Sequence, residues 1–313
     1  MVGLFAMKRE VFERIVIAVA LLASVLSAGC SPENQVGAEQ MAVLDDRQRD
    51  ILLPLPVTRI VSLGPSFTEI IFAIGAEEKL VGVTTYCDYP EAALQKPKVG
   101  DFLNPSVERI VALEPDCVLA TGPTQTRIVE RLEKLGLKVV QLNPESIAGV
   151  ERCIEVIGGI AGIEAVAAEL IEGVRDSVAQ MNRLTSQIQK RRRVFLEIDA
   201  NPLVSASPGS FLGELVRLAG GENVVGSGSG YPVVNPEQVI EWDPEVIIIA
   251  SPAVSLEQVR GRVGWEQVSA VKQGRICRVD PSLISRPGPR GVQGAAELHR
   301  LIYPEPAVGG GDQ

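Results

Sequence analysis

The chain has 313 residues, 46% hydrophobic and 22% charged, enough apolar material for one large core or two modest ones. Its 39 acidic residues outnumber 30 basic ones, giving a formal net charge of -9 and no basic patch of the kind a phosphate backbone needs, which excludes nucleic acid as a partner. The single histidine, His299, removes Ser-His triads and multi-histidine metal sites; it falls in the last helical pattern and is expected on a helix surface.

At the N-terminus, Lys8, Arg9 and Arg14 precede an apolar run from Ile15 to Leu26 that ends in small residues, the layout of a secretory signal. The run is shorter than the roughly 20 apolar residues a membrane span requires. Ser27-Ala28-Gly29-Cys30 resembles a bacterial lipoprotein signal, in which cleavage precedes a cysteine that is then acylated, although Ser27 stands where a bulky apolar residue is usual. Residues 1–29 are therefore expected to be a signal peptide and Cys30 the lipid-bearing residue of an extracytoplasmic, membrane-anchored lipoprotein. Residues 30–56 are polar and acidic without sustained periodicity and read as anchor and tether.

The folded part opens with a strand-like run, Arg59 to Leu63, followed by Ser66-Phe67-Thr68-Glu69, which has capping-box spacing for a helix. Strand-like runs recur at Leu80 to Thr84, Cys117 to Thr121 and Val139 to Leu142, separated by helical patterns, and predict a parallel α/β lobe over residues 57–162. From Ile163 to Lys190 apolar residues keep a three-or-four spacing without proline, which predicts one helix about 40 Å long filling a bridge over residues 163–191. Lys190 to Arg193 then read as cations at that helix's C-terminal end. A second α/β lobe follows over residues 192–304, with strands at Val194 to Ile198, Val246 to Ala250 and Ile276 to Val279, a terminal helix, and a tail at 305–313.

Two other features have bland readings. Gly226-Ser227-Gly228-Ser229-Gly230 neither follows a strand nor opens a helix, so it reads as a flexible surface loop rather than a phosphate cradle. Cys87, Cys117, Cys153 and Cys277 have no zinc spacing; Cys117 and Cys277 lie in strand-like runs as small buried hydrophobes, and any oxidised pairing stays open.

The two halves match. Glu108 to Ala120 aligns without gaps on Glu237 to Ile249, each a short helix, an acidic-proline-acidic turn and an apolar strand, and Arg59 to Leu63 echoes Arg193 to Glu197. The expected architecture is two Rossmann-like α/β lobes with parallel sheets, joined by one long backbone helix, with a cleft between them.

In order along the chain, RIVSLGPSFTEIIFAIG, LVGVTTYCDYP, VGDFLNPSVERIVALEPDCVLA, RVFLEI, GGENVV, NPEQVIEWDPEVIII and SRPGPR resemble the solute-binding proteins with a single backbone helix that serve cobalamin, haem and ferric-siderophore ABC importers. The sequence is most similar to the cobalamin branch, through TTYCDYP and the aromatic six residues before Glu108. The resemblance implies a corrinoid as transported ligand rather than a resident cofactor, with haem or a ferric siderophore as alternatives. Tyr86 and Phe102 would line the cleft from the first lobe; Tyr231, Asp280 and Arg286 would face them from the second. Such a site suits a large, flat, amphipathic solute, because aromatics give wide contact at low rotamer cost. Phe102 and Tyr231 stand where the cobalamin branch has tryptophans, the loop after Asp280 is differently built, and Ala219 replaces one partner of a disulfide known in that branch. The resemblance also implies that Glu108 and Glu237, one on each lobe, dock onto arginines of the two subunits of an ABC permease dimer served by its ATPase. No catalytic constellation or metal site stands out, which disfavours the rival reading of an extracytoplasmic enzyme acting on a cofactor-like molecule. The matched acidic helices disfavour an adhesion lipoprotein.

Overall fold

The computed structural model describes residues 39–304, so the signal peptide, Cys30 and the tail at 305–313 lie outside the described residues. Within the expected tether, residues 40–54 form a hairpin instead: β1 (Gln40–Leu44) pairs antiparallel with β2 (Asp50–Pro54). Its apolar face is set by a period of two, with Val43 and Leu53 buried and Met41 and Ile51 packed beside them. The charged run that hid this pattern is the turn itself. Asp45, fully buried, accepts the amides of Arg47 and Arg49 on Oδ1 at 2.9 and 3.0 Å and pairs with the Arg49 guanidinium at 2.6 Å. Arg49 to Glu133 (2.6 Å) and Arg152 to Asp46 (3.0 Å) then fasten the hairpin to the first lobe.

That lobe is a four-stranded, wholly parallel sheet in the order β4-β3-β5-β6, built from β3 (Ile60–Ser62), β4 (Leu80–Val83), β5 (Cys117–Thr121) and β6 (Val139–Leu142). Its strands are almost continuously apolar because helices cover both faces: α1 (Pro65–Ala73), α2 (Val107–Ala112), α3 (Thr126–Lys134) and α4 (Ile147–Ala161). The expected capping box at Ser66 does not form. Pro65 starts α1 two residues earlier, with Gly64 rather than Ser66 as the cap residue, and Glu69 is buried and turned to another partner.

Beyond α5 (Glu164–Thr185) the second lobe repeats the plan. Parallel β7 (Arg193–Ala200), β10 (Val246–Ile249) and β11 (Ile276–Arg278) lie side by side, with antiparallel β8 (Leu203–Ser205) and the short β9 (Glu222–Asn223) both pairing β7. Around them run α6 (Phe211–Leu218), α7 (Pro236–Trp242), α8 (Leu256–Arg260), α9 (Ser269–Lys272), α10 (Pro281–Ile284) and α11 (Gly291–Ile302). The internal repeat extends to individual dihedrals. Glu114 and Asp243, equivalent in the gapless alignment, both turn the chain at φ 43°, an uncommon conformation for a residue other than glycine. The Arg59 side chain donates to the Leu113 and Glu114 carbonyls, and Arg193 does the same to that of Asp243. Asp116 accepts the Arg59 amide at 2.9 Å, and its counterpart Glu245 accepts that of Arg193 at 3.1 Å.

Helix α5 ends at Thr185, five residues before the expected Lys190, and at 1.5 Å per residue runs about 33 Å. The basic run therefore serves other helices. Arg191 donates to the Arg217 carbonyl at the end of α6, Arg192 to Ile302 at the end of α11, and Arg193 to Asp243 after α7. Cations thus meet helix C-termini, but three neighbouring ones. His299 is half-buried rather than on an open surface: its Nδ1 lies 2.9 Å from the Ala219 carbonyl and its ring tilts on Tyr303. The four cysteines among the described residues are free; Cys277 is half-buried rather than buried, whereas burial pushes the Cys117 thiol up to about 12, so it packs as an inert small hydrophobe.

One apolar core runs from the hairpin through α1 and α4, along Ala167, Val174 and Met181 of α5, and into α6 and α11. The lobes therefore share an interior instead of hanging on a linker. The seam between α4 and α5 depends on Gly158, where an added Cβ would stand 2.3 Å from that of Ala167. Gly158→Ala is expected to lower stability in urea by about 1–3 kcal/mol through overpacking. Combined with Ala167→Gly it should cost less than the two single changes summed; simple additivity would mean the helices part freely.

Candidate functional site

The first lobe's strands all point their C-terminal ends at one side, and the loops leaving them form a wall there, as open α/β sheets favour. Pro65 and Ser66 follow β3, Tyr86 follows β4, Thr121 to Thr124 follow β5, and Asn143 to Glu145 follow β6. Opposite them stand Gly209 to Phe211, Gly230, Tyr231 and the segment around Arg286 from the second lobe. The cleft between them holds about 830 Å³, within the range of sites for sizeable organic ligands.

Each aromatic is presented by a braced loop. The Thr85 amide donates to the Gly100 carbonyl at 2.8 Å, tying the Tyr86 segment to the loop that carries Phe102. Gln125, almost fully buried, donates through Nε2 to the Phe102 carbonyl at 2.6 Å and to that of Leu63 at 3.0 Å, while Asp101 accepts the amides of Leu103 and Asn104. On the other wall, the Ser207 and Gly209 amides donate to the carbonyls of Gly230 and Gly228, both at 3.0 Å. The glycine-rich loop is exposed from Gly226 to Ser229, as a surface loop is, and only its last glycine, Gly230, joins Tyr231 in the cleft wall. Tyr86 and Tyr231 remain about half exposed, 58% and 52%, so large apolar faces stay open to the cleft. Crowding by the surrounding atoms, then the nearby Glu145 carboxylate, push the Tyr231 phenol up and keep it protonated.

Of the five expected cleft residues, Tyr86, Phe102, Tyr231 and Arg286 line the cavity. Asp280 does not; its carboxylate caps α10 by accepting the Ser282 amide at 2.8 Å, while Pro281 and Ser282 beside it reach the wall. Arg286 is held across the lobe boundary. Its Nη1 and Nη2 contact the two Asp88 carboxylate oxygens at 2.5 and 3.1 Å, and Nη1 lies 3.4 Å from Glu69. Glu69 is taken in turn by Arg290, with Nε and Nη2 at 2.8 and 2.6 Å, and the Arg290 guanidinium stacks 3.7 Å over the Tyr89 ring. Hydrogen bonding to Arg286 holds the Asp88 carboxyl below its ordinary 3.8, so the bridge contributes in full above that pH and is lost as pH falls through the lowered value. Glu69, Asp88, Tyr89 and Arg290 were not anticipated as a group: DYP supplies Asp88 and SRPGPR supplies Arg286 and Arg290, but Asp88 and Arg286 are 198 residues apart and nothing local pairs them.

A second cavity, about 860 Å³, lies between α1, α5 and α11 behind the Glu69–Arg290 pair, and none of the expected site residues reaches it. Glu108 and Glu237 are both exposed, each the second residue of its helix, α2 and α7. Glu108's own backbone amide, then the Ser106 hydroxyl at 2.9 Å, hold its carboxyl below the usual range. Among the described residues no helix is long and apolar enough to cross a membrane, and no group of three or more His, Cys, Asp and Glu is placed to hold a metal.

Two α/β lobes thus face each other across a cleft with aromatic side chains on both walls. The chain belongs to the periplasmic binding protein family, whose model matches residues 60–283, and it is a binding protein rather than an enzyme. It is 31% identical over 304 residues to an uncharacterized ABC transporter substrate-binding lipoprotein of Bacillus subtilis, YvrC, covering 92% of this chain and 96% of that one. It is 28% identical over 240 residues to a vitamin B12-binding protein of Vibrio vulnificus, covering 75% and 86%. Among solved structures it is similar to a periplasmic haem-binding protein of Pseudomonas aeruginosa, with a TM-score of 0.70, 27% identity and coverage of 80% and 94%.

Proposed function

We propose that the chain is the extracytoplasmic solute-binding lipoprotein of an ABC importer and that it captures a corrinoid such as cobalamin between its lobes. The observation that carries the ligand is a cleft with aromatic walls whose one lining cation, Arg286, is already paired with carboxylates. A macrocycle gains contact area from Tyr86, Phe102 and Tyr231, while an anionic solute finds no free positive charge. The vitamin B12-binding relative supports this choice. Haem is the alternative supported by the haem-binding structural neighbour and by tyrosines at the cleft. Tyr86 and Tyr231 would be the candidates for an axial ligand to its iron.

Partnership with a permease dimer and its ATPase is supported by the substrate-binding relative and by the placement of Glu108 and Glu237 at equivalent, exposed helix positions on the two lobes. Each would meet an arginine of one permease subunit. Exposed ion pairs contribute about 0.2–1 kcal/mol each, so these acids steer and orient a transient complex. Acylated Cys30 would keep the protein at the membrane that holds its permease.

Titration with cobalamin, haemin and ferric siderophores tests the ligand. Cobalamin is expected to bind, and Phe102→Ala and Tyr231→Ala should each weaken it by about tenfold, the loss of one aromatic contact surface. Tight haemin binding with a tyrosinate charge-transfer band, and none to cobalamin, would overturn the corrinoid assignment. Replacing both Glu108 and Glu237 by alanine should leave cobalamin affinity unchanged while impairing uptake and permease ATPase stimulation in reconstituted membranes. Normal transport by that variant would reduce the two acids to helix-end residues favoured by the dipole. Cys30→Ser should move the protein from the membrane fraction to the soluble one; continued membrane association would refute the anchor.

A further inference from the structure

The charges around Arg286 balance within the protein. Glu69 is buried and bidentately engaged by Arg290, which makes those two residues each other's partners. Asp88 alone contacts Arg286 through both carboxylate oxygens, and it does so from outside the cleft lining. Two carboxylates thus meet two guanidiniums, and the remaining charged residue of the cleft wall, Glu145, is negative. An entering carboxylate must either displace Asp88 from Arg286 or lie beside an unneutralised acid, and both oppose binding.

We infer that Asp88 is a specificity-determining residue: by occupying the Arg286 guanidinium across the lobe boundary, it turns the cleft against ligands with ionised carboxylates and leaves it suited to uncharged, hydrogen-bonding macrocycles. This rests on the cleft being the ligand site, as proposed above. Asp88 can be altered without changing the walls, since its side chain is half exposed and Glu69 still approaches Arg286 at 3.4 Å.

The test compares wild type with Asp88→Asn, titrating cobalamin, haemin with its two propionates, and the dimethyl ester of haemin. The substitution frees one positive charge, so haemin affinity should rise by about tenfold, the scale of one ion pair in a partly desolvated cleft. Cobalamin and the ester should change by no more than about twofold, and the haemin gain should fade with salt and vanish when Arg286→Gln is added. An unchanged melting temperature would show that the interface survives, and Asp88→Ala repeats the comparison without the amide. If wild type binds cobalamin but the haemin-to-cobalamin ratio is unaltered by either substitution, Asp88 does not set specificity while the cleft assignment stands. If no macrocycle binds to either protein, both fall.

Discussion

The buried carboxylate of Glu69 constrains the rest of the structure. A side chain only 3% exposed cannot keep its charge without partners, and α1 supplies none; both come from the other lobe, as Arg290 and Arg286. The first lobe is therefore electrostatically incomplete by itself. With the shared apolar core along α5, this pair makes the lobe boundary a structural interior, and the cleft in front of it is shaped before any ligand arrives. Preorganisation of that kind lowers the ordering cost of binding.

The cleft repeats this economy at smaller scale. Aromatic faces are left open, but the backbones that carry them are pinned: Gln125 reaches from the start of α3 to the Phe102 carbonyl, and Gly228 and Gly230 accept from the loop before α6. Open contact surface on fixed loops is what a large, rigid solute can use without reordering the protein.

Local pattern carried most of the fold into view. The strands at Cys117–Thr121 and Val139–Leu142 keep the bounds their apolar runs imply, and the gapless match between halves reaches the shared φ of Glu114 and Asp243. What escaped was long-range or disguised. Glu69 and Arg290 are 221 residues apart, so nothing local joined them and the acid read as a capping residue. The charged turn from Asp45 to Arg49 concealed a hairpin whose strands are only five residues each. Lys190 to Arg193 were read against the nearest helix, whereas long guanidinium arms serve helix ends that only tertiary packing brings close. Among cleft residues, aromatics were legible from resemblance, while Asp280 was not distinguishable in sequence from the helix cap it is.

The repeated turn, with its arginine brace and its acid two residues into the preceding helix, recurs at the same place in both lobes. The walls of the cleft are not interchangeable: Tyr86 and Phe102 stand on one side, Tyr231 and Arg286 on the other. The pseudo-symmetry thus belongs to the frame and stops at the cleft, so a half-turn of the molecule superposes the two turns but exchanges unlike walls.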